Sequence, residues 1–266
     1  MVEMNFRTAI ASDELTLKRL FLACFDDTLG FVNMFFAHHF VPENTMVCEV
    51  KGKTVGLAFL LPCTAEEKPC YYIYGVCVSP DMRGRGIGTA LLDYAKDTAA
   101  KRGARVLLLP ENESLFTFYE KAGFSPCSYY KKQVFTAGGE MAEFRSIAAD
   151  EYNAFRNEGL KSLNPVLWDT ESVEYALAHE TFFGGRAYKF CYGGEEGIVL
   201  CTRDGGENYI KETTASSEAL PAVAAAAIKI FGGDEITAII PTDESGSPYA
   251  YGIGFSRPVY LNLMLD

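Results

Sequence analysis

The chain has 266 residues, of which 48% are hydrophobic and 22% charged, with 24 basic side chains against 35 acidic ones and a net charge of −11. This composition is that of a globular protein, excluding disordered and collagen-like classes, and the length favours two domains over one. The negative charge disfavours a nucleic-acid partner, whose phosphates draw basic surfaces, and no stretch reaches the roughly 18 unbroken apolar residues that span a membrane.

The opening residues lack the basic and then apolar plan of a secretion signal. Eight cysteines, none of them spaced as CxxC, sit in a chain too large to need covalent staples. Reduced thiols in a cytoplasmic protein are the expectation.

In chain order, residues 15–23 and 30–40 have helical spacing, and 45–50 and 54–62 flank Lys51, Gly52 and Lys53 as a hairpin. A β-rich run at 71–78 follows, then a helix from about 89 to 102 that stops at Gly103, an apolar run at 106–109 and a helix around 114–122 ahead of Gly123. Strand, helix, strand, helix describes an α/β domain. Residues 136–139, Thr-Ala-Gly-Gly, suit a connection between folded units, which places a boundary near 138. Charge supports the division: residues 1–138 carry 15 basic and 15 acidic side chains, residues 139–266 carry 9 and 20.

The second half echoes the first, with a strand at 144–147, helices at 150–156 and 170–179, strands at 187–192, 197–202 and 209–212, a helix at 219–231 and a closing strand at 260–265.

Chemistry concentrates where the strand at 71–78 meets the next helix. Arg83, Gly84, Arg85, Gly86, Ile87, Gly88 and Thr89 form a glycine-rich, basic loop there. Glycines let the main chain approach an anion, and the free N–H groups and dipole of the following helix stabilise negative charge. A Walker A loop needs Gly-Lys-Ser/Thr after four spacers, and the dinucleotide fingerprint needs GxGxxG after a first strand; neither is matched.

The loop resembles that of the GNAT superfamily of N-acetyltransferases, Arg/Gln-x-x-Gly-x-Gly/Ala, through Arg83, Gly86 and Gly88. Val76, Cys77, Val78, Ser79 and Pro80 resemble the family's apolar-x-Val-x-Pro strand end. The stretch from Asn112 through Tyr119 to Gly123 and Phe124 resembles its Asn-x-x-Ala-x-x-Leu/Phe-Tyr-x-x-x-Gly-Phe segment, with Leu115 in place of the small residue. The two motifs span about 76 to 124 in the expected order.

The resemblance implies a GNAT fold, a mixed twisted sheet flanked by helices, over 1–138, followed by a degenerate GNAT-like domain over 139–266. It implies acetyl-CoA as cosubstrate, an amine-bearing acceptor as partner, and coenzyme contacts from Val76, Cys77, Val78, Arg83, Gly84, Arg85, Gly86, Ile87, Gly88, Thr89 and Asn112. Tyr119 is implied to be the catalytic residue, its hydroxyl acting on the coenzyme sulfur as general acid or as a stabilising hydrogen-bond donor. No metal, nucleic acid or membrane is expected, and a homodimer is allowed for.

An ammonium group must lose its proton before it attacks a thioester, and the strand at 71–78 has no Asp, Glu or His to take it. Asp26, Asp27, Glu43 and Glu49 come from segments that wall the acceptor site in the family. The adjacent His38 and His39 point about 100° apart on a helix and do not complete a metal site. After residues 209–212 the chain runs Thr213-Thr214-Ala215-Ser216-Ser217-Glu218, with no glycine or basic residue, so the second half is expected to lack an active site. Two other readings stand beside acetyl transfer: a noncatalytic acetyl-CoA-binding regulator, and an aminoacyl transferase using charged tRNA.

Overall fold

A computed structural model describes residues 3–25, 27–261 and 263. The chain divides into two compact units, Met1–Pro126 with Ala250–Ser256, and Cys127–Tyr249 with Arg257–Asp266.

In the first unit, strand β1 (Met4–Thr8), helices α1 (Glu14–Cys24) and α2 (Leu29–His39), and strands β2 (Thr45–Val50), β3 (Lys53–Ala65) and β4 (Lys68–Val78) are followed by helix α3 (Ile87–Lys101), strand β5 (Arg105–Leu108) and the short helix α4 (Phe116–Lys121). β1 to β4 pair antiparallel in sequence order, while β4 and β5 are parallel. The β2–β3 turn puts Lys51 and Gly52 at φ +51° and +72°, the two positive angles that a tight hairpin requires.

Side chains alternate across this sheet. Ala58, Leu60 and Ile73 face α3, where Ile87, Leu91, Leu92, Ala95 and Ala99 make the apolar stripe expected from the sequence. Phe59 and Tyr74 face the other way and pack against the rings of Phe21 of α1 and Phe35 of α2.

The second unit repeats the order. Strand β6 (Ser125–Thr136) enters it, then come β7 (Glu143–Arg145), helices α5 (Ala149–Gly159) and α6 (Thr170–Phe182), strands β8 (Arg186–Tyr192), β9 (Glu195–Asp204) and β10 (Glu207–Thr213), helix α7 (Leu220–Phe231) and strand β11 (Glu235–Thr242). Antiparallel β7 to β10, a parallel β10–β11 pair and α7 packed on Ile210, Val199 and Ile236 reproduce the first unit's plan.

Each unit takes its closing strand from a distant part of the chain. β6 pairs along its length with β11, from Tyr129↔Thr242 to Thr136↔Glu235. The last strand, β12 (Ser247–Ile253), gives the first unit the pairs Tyr251↔Leu108, Gly252↔Leu107 and Ile253↔Val106 beside β5. The division therefore falls at Pro126 rather than near 138: the small-residue stretch is a turn after β6, with Gly138 and Gly139 at positive φ.

β1, β6, β11 and β12 have no counterpart in the sequence expectation, and the strand expected at 260–265 is corrected. Tyr260 forms an isolated bridge with Pro165, Leu261 and Leu263 are buried outside any strand, and Asn262, Met264 and Leu265 lie outside the described residues. The apolar character of this segment fills core: the Tyr260 amide donates to the Asn164 carbonyl, and the Tyr260 carbonyl accepts from the Val166 amide.

Candidate active site

Two features at the end of β4 prepare a site. Parallel pairing with β5 stops at Tyr72↔Leu107, so beyond it the β5-side edge of β4 has no strand partner among the described residues. The register with β3 then slips between Leu57↔Cys77 and Phe59↔Tyr74, a bulge at Gly75 and Val76. Gly75 has φ +62°, and a Cβ there would meet Phe21 at 2.9 Å, so only glycine fits. A bulge reverses the alternation of the strand. Val76 and Val78 turn to the α3 side and Cys77 turns toward α1.

After Val78 the chain makes a single 3-10 turn, Pro80–Met82, and enters the glycine loop. Gly84 and Gly86 have φ +73° and +78°, and a Cβ on either would meet nothing within 4 Å, which leaves open space over the backbone. Gly86 caps α3 in the left-handed conformation without any side-chain cap, so the N–H groups of Ile87, Gly88 and Thr89 point out of the helix without intrahelical partners. Arg83 and Arg85 are exposed; Arg83 Nε donates to the Val78 carbonyl at 3.2 Å and Arg85 Nη2 to the Asp81 carbonyl at 3.3 Å. Main chain and two cations thus converge on space suited to a phosphate.

Tyr119 lies on α4. Asn112 Oδ1 accepts from the Ser114 amide at 3.1 Å and caps the 3-10 turn ahead of that helix. Lys96 of α3 donates to the Ala122 carbonyl at 2.6 Å, tying the loop helix to the tyrosine helix. Tyr119 is 9% exposed, packs on Phe118 and Phe124, and shares one apolar cluster with Val76, Val78 and Ile87. Burial, and then the charge of Glu111, push its hydroxyl up to about 12.

Among the acids expected near an acceptor, two are described with partners. Glu49 binds Arg7 at 2.6 Å, and Arg7 also holds Asp13, an ion-pair network between β1, β2 and the start of α1. Glu43 gives its carbonyl to Arg102, Asp27 is half-buried, and Asp26 lies outside the described residues. The His39 ring packs against Phe35 at 5.1 Å in a tilted contact while His38 is exposed. Sequence reasoning passed over Gly75 and Cys24; a glycine inside an apolar strand is the one signal that marked the bulge. The Cys24 thiol, at the end of α1, lies 3.4 Å from the Val78 carbonyl oxygen.

Residues 14–124 match the family described as acetyltransferase (GNAT) family. An uncharacterised N-acetyltransferase of Methanocaldococcus jannaschii is 42% identical over 89 residues, 31% of this chain and 39% of the relative. The L-2,4-diaminobutyric acid acetyltransferase of Nocardia farcinica is 35% identical over 103 residues, 36% of this chain and 52% of the relative. The chain thus spans well under two thirds of either relative. A probable N-acyltransferase of unknown function from Enterococcus faecalis superimposes with TM-score 0.72 over 95% of this chain and 72% of that one at 14% identity. A GCN5-related N-acetyltransferase from Kribbella flavida does so with TM-score 0.68 over 94% and 71% at 16% identity. At such identities the likeness is one of fold, and it extends through both units.

Proposed function

From the premise that residues 14–124 place this chain in the acetyltransferase (GNAT) family, we propose that it transfers the acetyl group of acetyl-CoA to a primary amine, using a single site in the first unit. The observation that carries this reading is the open, uncapped N-terminus of α3 behind Gly84 and Gly86, flanked by Arg83 and Arg85. Those residues fit a pyrophosphate, and the edge of β4 at Val76, Cys77 and Val78, which has no strand partner on the β5 side among the described residues, fits the amide-bearing arm that follows it. Bound acetyl-CoA supplies the activated acyl group as a thioester.

The chain's own part is binding, polarisation and proton handling. Main-chain N–H groups at the bulge donate to the acyl oxygen as it gains charge, an arrangement that needs no dedicated side chain. Tyr119 donates a hydrogen bond to the sulfur as it departs. With its hydroxyl near 12, full proton transfer to a thiolate of conjugate pKa about 8.5 is uphill by about 5 kcal/mol, so stabilisation by the hydrogen bond, followed by protonation from water, is its role. β4 offers no acid, so the acceptor ammonium loses its proton to water or to the acceptor's own surroundings.

The family membership favours acetyl transfer over a purely regulatory coenzyme site, and the net negative charge disfavours the tRNA-dependent alternative. The experiment is an acetyl transfer assay across amine classes: small diamines and amino acids, polyamines, aminoglycosides and peptide N-termini. Turnover with one class, producing free coenzyme A and acetylated amine in equal amounts, supports the reading. Tight acetyl-CoA binding without turnover of any class would favour the regulatory alternative.

A further inference from the structure

We propose that Cys24 and Cys77 form a redox-active thiol pair at the base of the glycine loop, in which Cys24 attacks small-molecule disulfides and Cys77 converts the product into an intramolecular disulfide. The pair comes from two elements brought together by the fold. Cys24 is the last residue of α1 and is half-buried, within reach of small solutes. Cys77 is buried on β4 and turned toward α1 by the bulge at Gly75 and Val76. Cys24 Sγ lies 3.4 Å from the carbonyl oxygen of Val78, the residue that follows Cys77, so both thiols lie on the α1 side of β4.

The surroundings separate the two roles. Cys24 Sγ and Arg83 Nε lie 3.4 and 3.2 Å from the same oxygen, the Val78 carbonyl, which brings the guanidinium alongside the thiol. The hydrogen bond from Cys77, and then Arg83 by hydrogen bond and charge, pull the Cys24 thiol down to about 7 against the opposing effect of burial. An attacking thiol is most effective when its pKa lies near ambient pH. Cys77 is pushed the other way, first by the same hydrogen bond and then by burial, and keeps its proton until Cys24 has reacted. Burial also pushes up Cys48, Cys63 and Cys201, which marks Cys24 as the reactive member.

The chemistry balances without a metal or an external electron carrier. The Cys24 thiolate attacks one sulfur of a disulfide RS–SR, the S–S bond breaks, and one RS⁻ leaves and takes a proton from water. Cys77 then gives its proton to water and attacks the Cys24 sulfur, expelling the second RS⁻. Two protein thiols are oxidised, and one disulfide is reduced to two thiols. A further consequence rests on the coenzyme reading of the loop: a bound pyrophosphate draws Arg83 away from Cys24, so thiolate and coenzyme compete for one guanidinium, and each weakens the other by linkage.

The test uses the full chain with glutathione disulfide, quenched in acid and mapped by peptide mass spectrometry. The expected product is one linked pair, Cys24 with Cys77, formed ahead of any other. Cys77→Ser should hold one glutathionyl group on Cys24, and Cys24→Ser should give neither product. Alkylation of Cys24 by iodoacetamide should show a midpoint near pH 7. A first linkage between Cys63 and Cys70, or alkylation of Cys24 no faster than that of the other cysteines, would overturn the proposal; the wild-type map alone decides this if a variant does not fold. Saturating acetyl-CoA should slow Cys24 alkylation several-fold. An unchanged rate, with the linked pair still forming, would overturn the competition for Arg83 and leave the thiol pair standing.

Discussion

The two units build the same strand-to-helix junction and finish it in opposite ways. At the end of β4 the loop is glycine and arginine, α3 starts uncapped, and the space over Gly84 and Gly86 is open. At the end of β10 the corresponding place is filled from within the protein. Glu195 Oε1 accepts from the Ser216 amide at 2.8 Å, Glu195 Oε2 accepts from the Ser216 hydroxyl at 2.6 Å, and the Ser216 hydroxyl oxygen accepts from the Ala219 amide at 3.1 Å. A carboxylate of the chain thus sits where the first unit leaves room for a phosphate.

The bulges differ in the same sense. In β4 the bulge at Gly75 and Val76 carries no charge. In β10 the register slips between Ile210 and Glu212, and two charged side chains are buried there. Glu212 binds Arg156 at 3.1 Å with both side chains fully buried, and accepts from the Tyr152 hydroxyl at 2.7 Å. Lys211 binds Glu180 at 2.7 Å. One copy of the junction keeps its polar groups available for a ligand, and the other spends them on internal pairs. That difference supports reading the second unit as a degenerate copy.

The largest expected effect tests whether the first unit stands alone. A chain ending at Gly138 lacks Ala250–Ser256, and with it the strand beside β5 and Tyr251, which is 1% exposed and stacks on Phe116 at 5.1 Å. Losing one such buried aromatic costs about 3–5 kcal/mol, a large share of a typical total of about 5–15 kcal/mol. The truncated chain should show no cooperative thermal transition by circular dichroism. A sharp transition would show that the closing strand is dispensable.

Next in size is Tyr119→Phe, which removes only a hydroxyl from the first unit. On the proposed role of that hydroxyl as a hydrogen-bond donor to sulfur, kcat and kcat/KM should fall together by roughly 10²-fold, with KM little changed. The loss should shrink with a donor whose thiol is more acidic. Equal turnover by the two proteins under chemistry-limited conditions would make Tyr119 a core residue only.

The mirror-image substitution in the second unit is Glu212→Gln, which should act on stability and not on chemistry. It leaves Arg156 charged and buried without its counter-ion, a loss of about 3–5 kcal/mol. Denaturant titration should show it. A loss of kcat in a variant of unchanged stability would contradict the assignment of this unit to structure.

A smaller effect is set by pH. Burial opposes the ionisation of Glu180, but the charge of Lys211 and hydrogen bonds from His179, Lys211 and Thr202 outweigh it and lower its carboxyl from 4.5 to about 2. A lowered pKa contributes stability that is fully present above the unfolded value and lost as pH falls through the folded one. About 3 kcal/mol should therefore disappear between about pH 4.5 and 2, and Glu180→Gln should flatten that part of the stability profile. An equally steep profile in the variant would remove the Lys211 pair as its source.

What the sequence made legible follows from range. The seven α-helices and the strands β2 to β5 and β7 to β10 carry their own periodicity and stop signals, and the glycine loop is contiguous. β6 and β12 were hidden because each is defined by a partner about a hundred residues away or more, which local pattern does not encode. Asn112 reads as a coenzyme contact by motif, and that its side-chain oxygen also caps the turn ahead of α4 is something only geometry shows. The absence of a glycine after β10 was plain in the sequence, whereas the carboxylate that meets the Ser216 amide comes from Glu195, twenty-one residues earlier.

The central claim is one coenzyme site, at the open end of α3. Its most direct test is calorimetric titration of acetyl-CoA into the full chain and into Gly86→Glu, whose carboxylate would stand in the open space over the loop at a cost of several kcal/mol in like-charge repulsion and backbone strain. The account predicts one site per chain in the wild type and no measurable binding in a folded Gly86→Glu variant. Two equivalent sites in the wild type, or unchanged affinity in the variant, would contradict it.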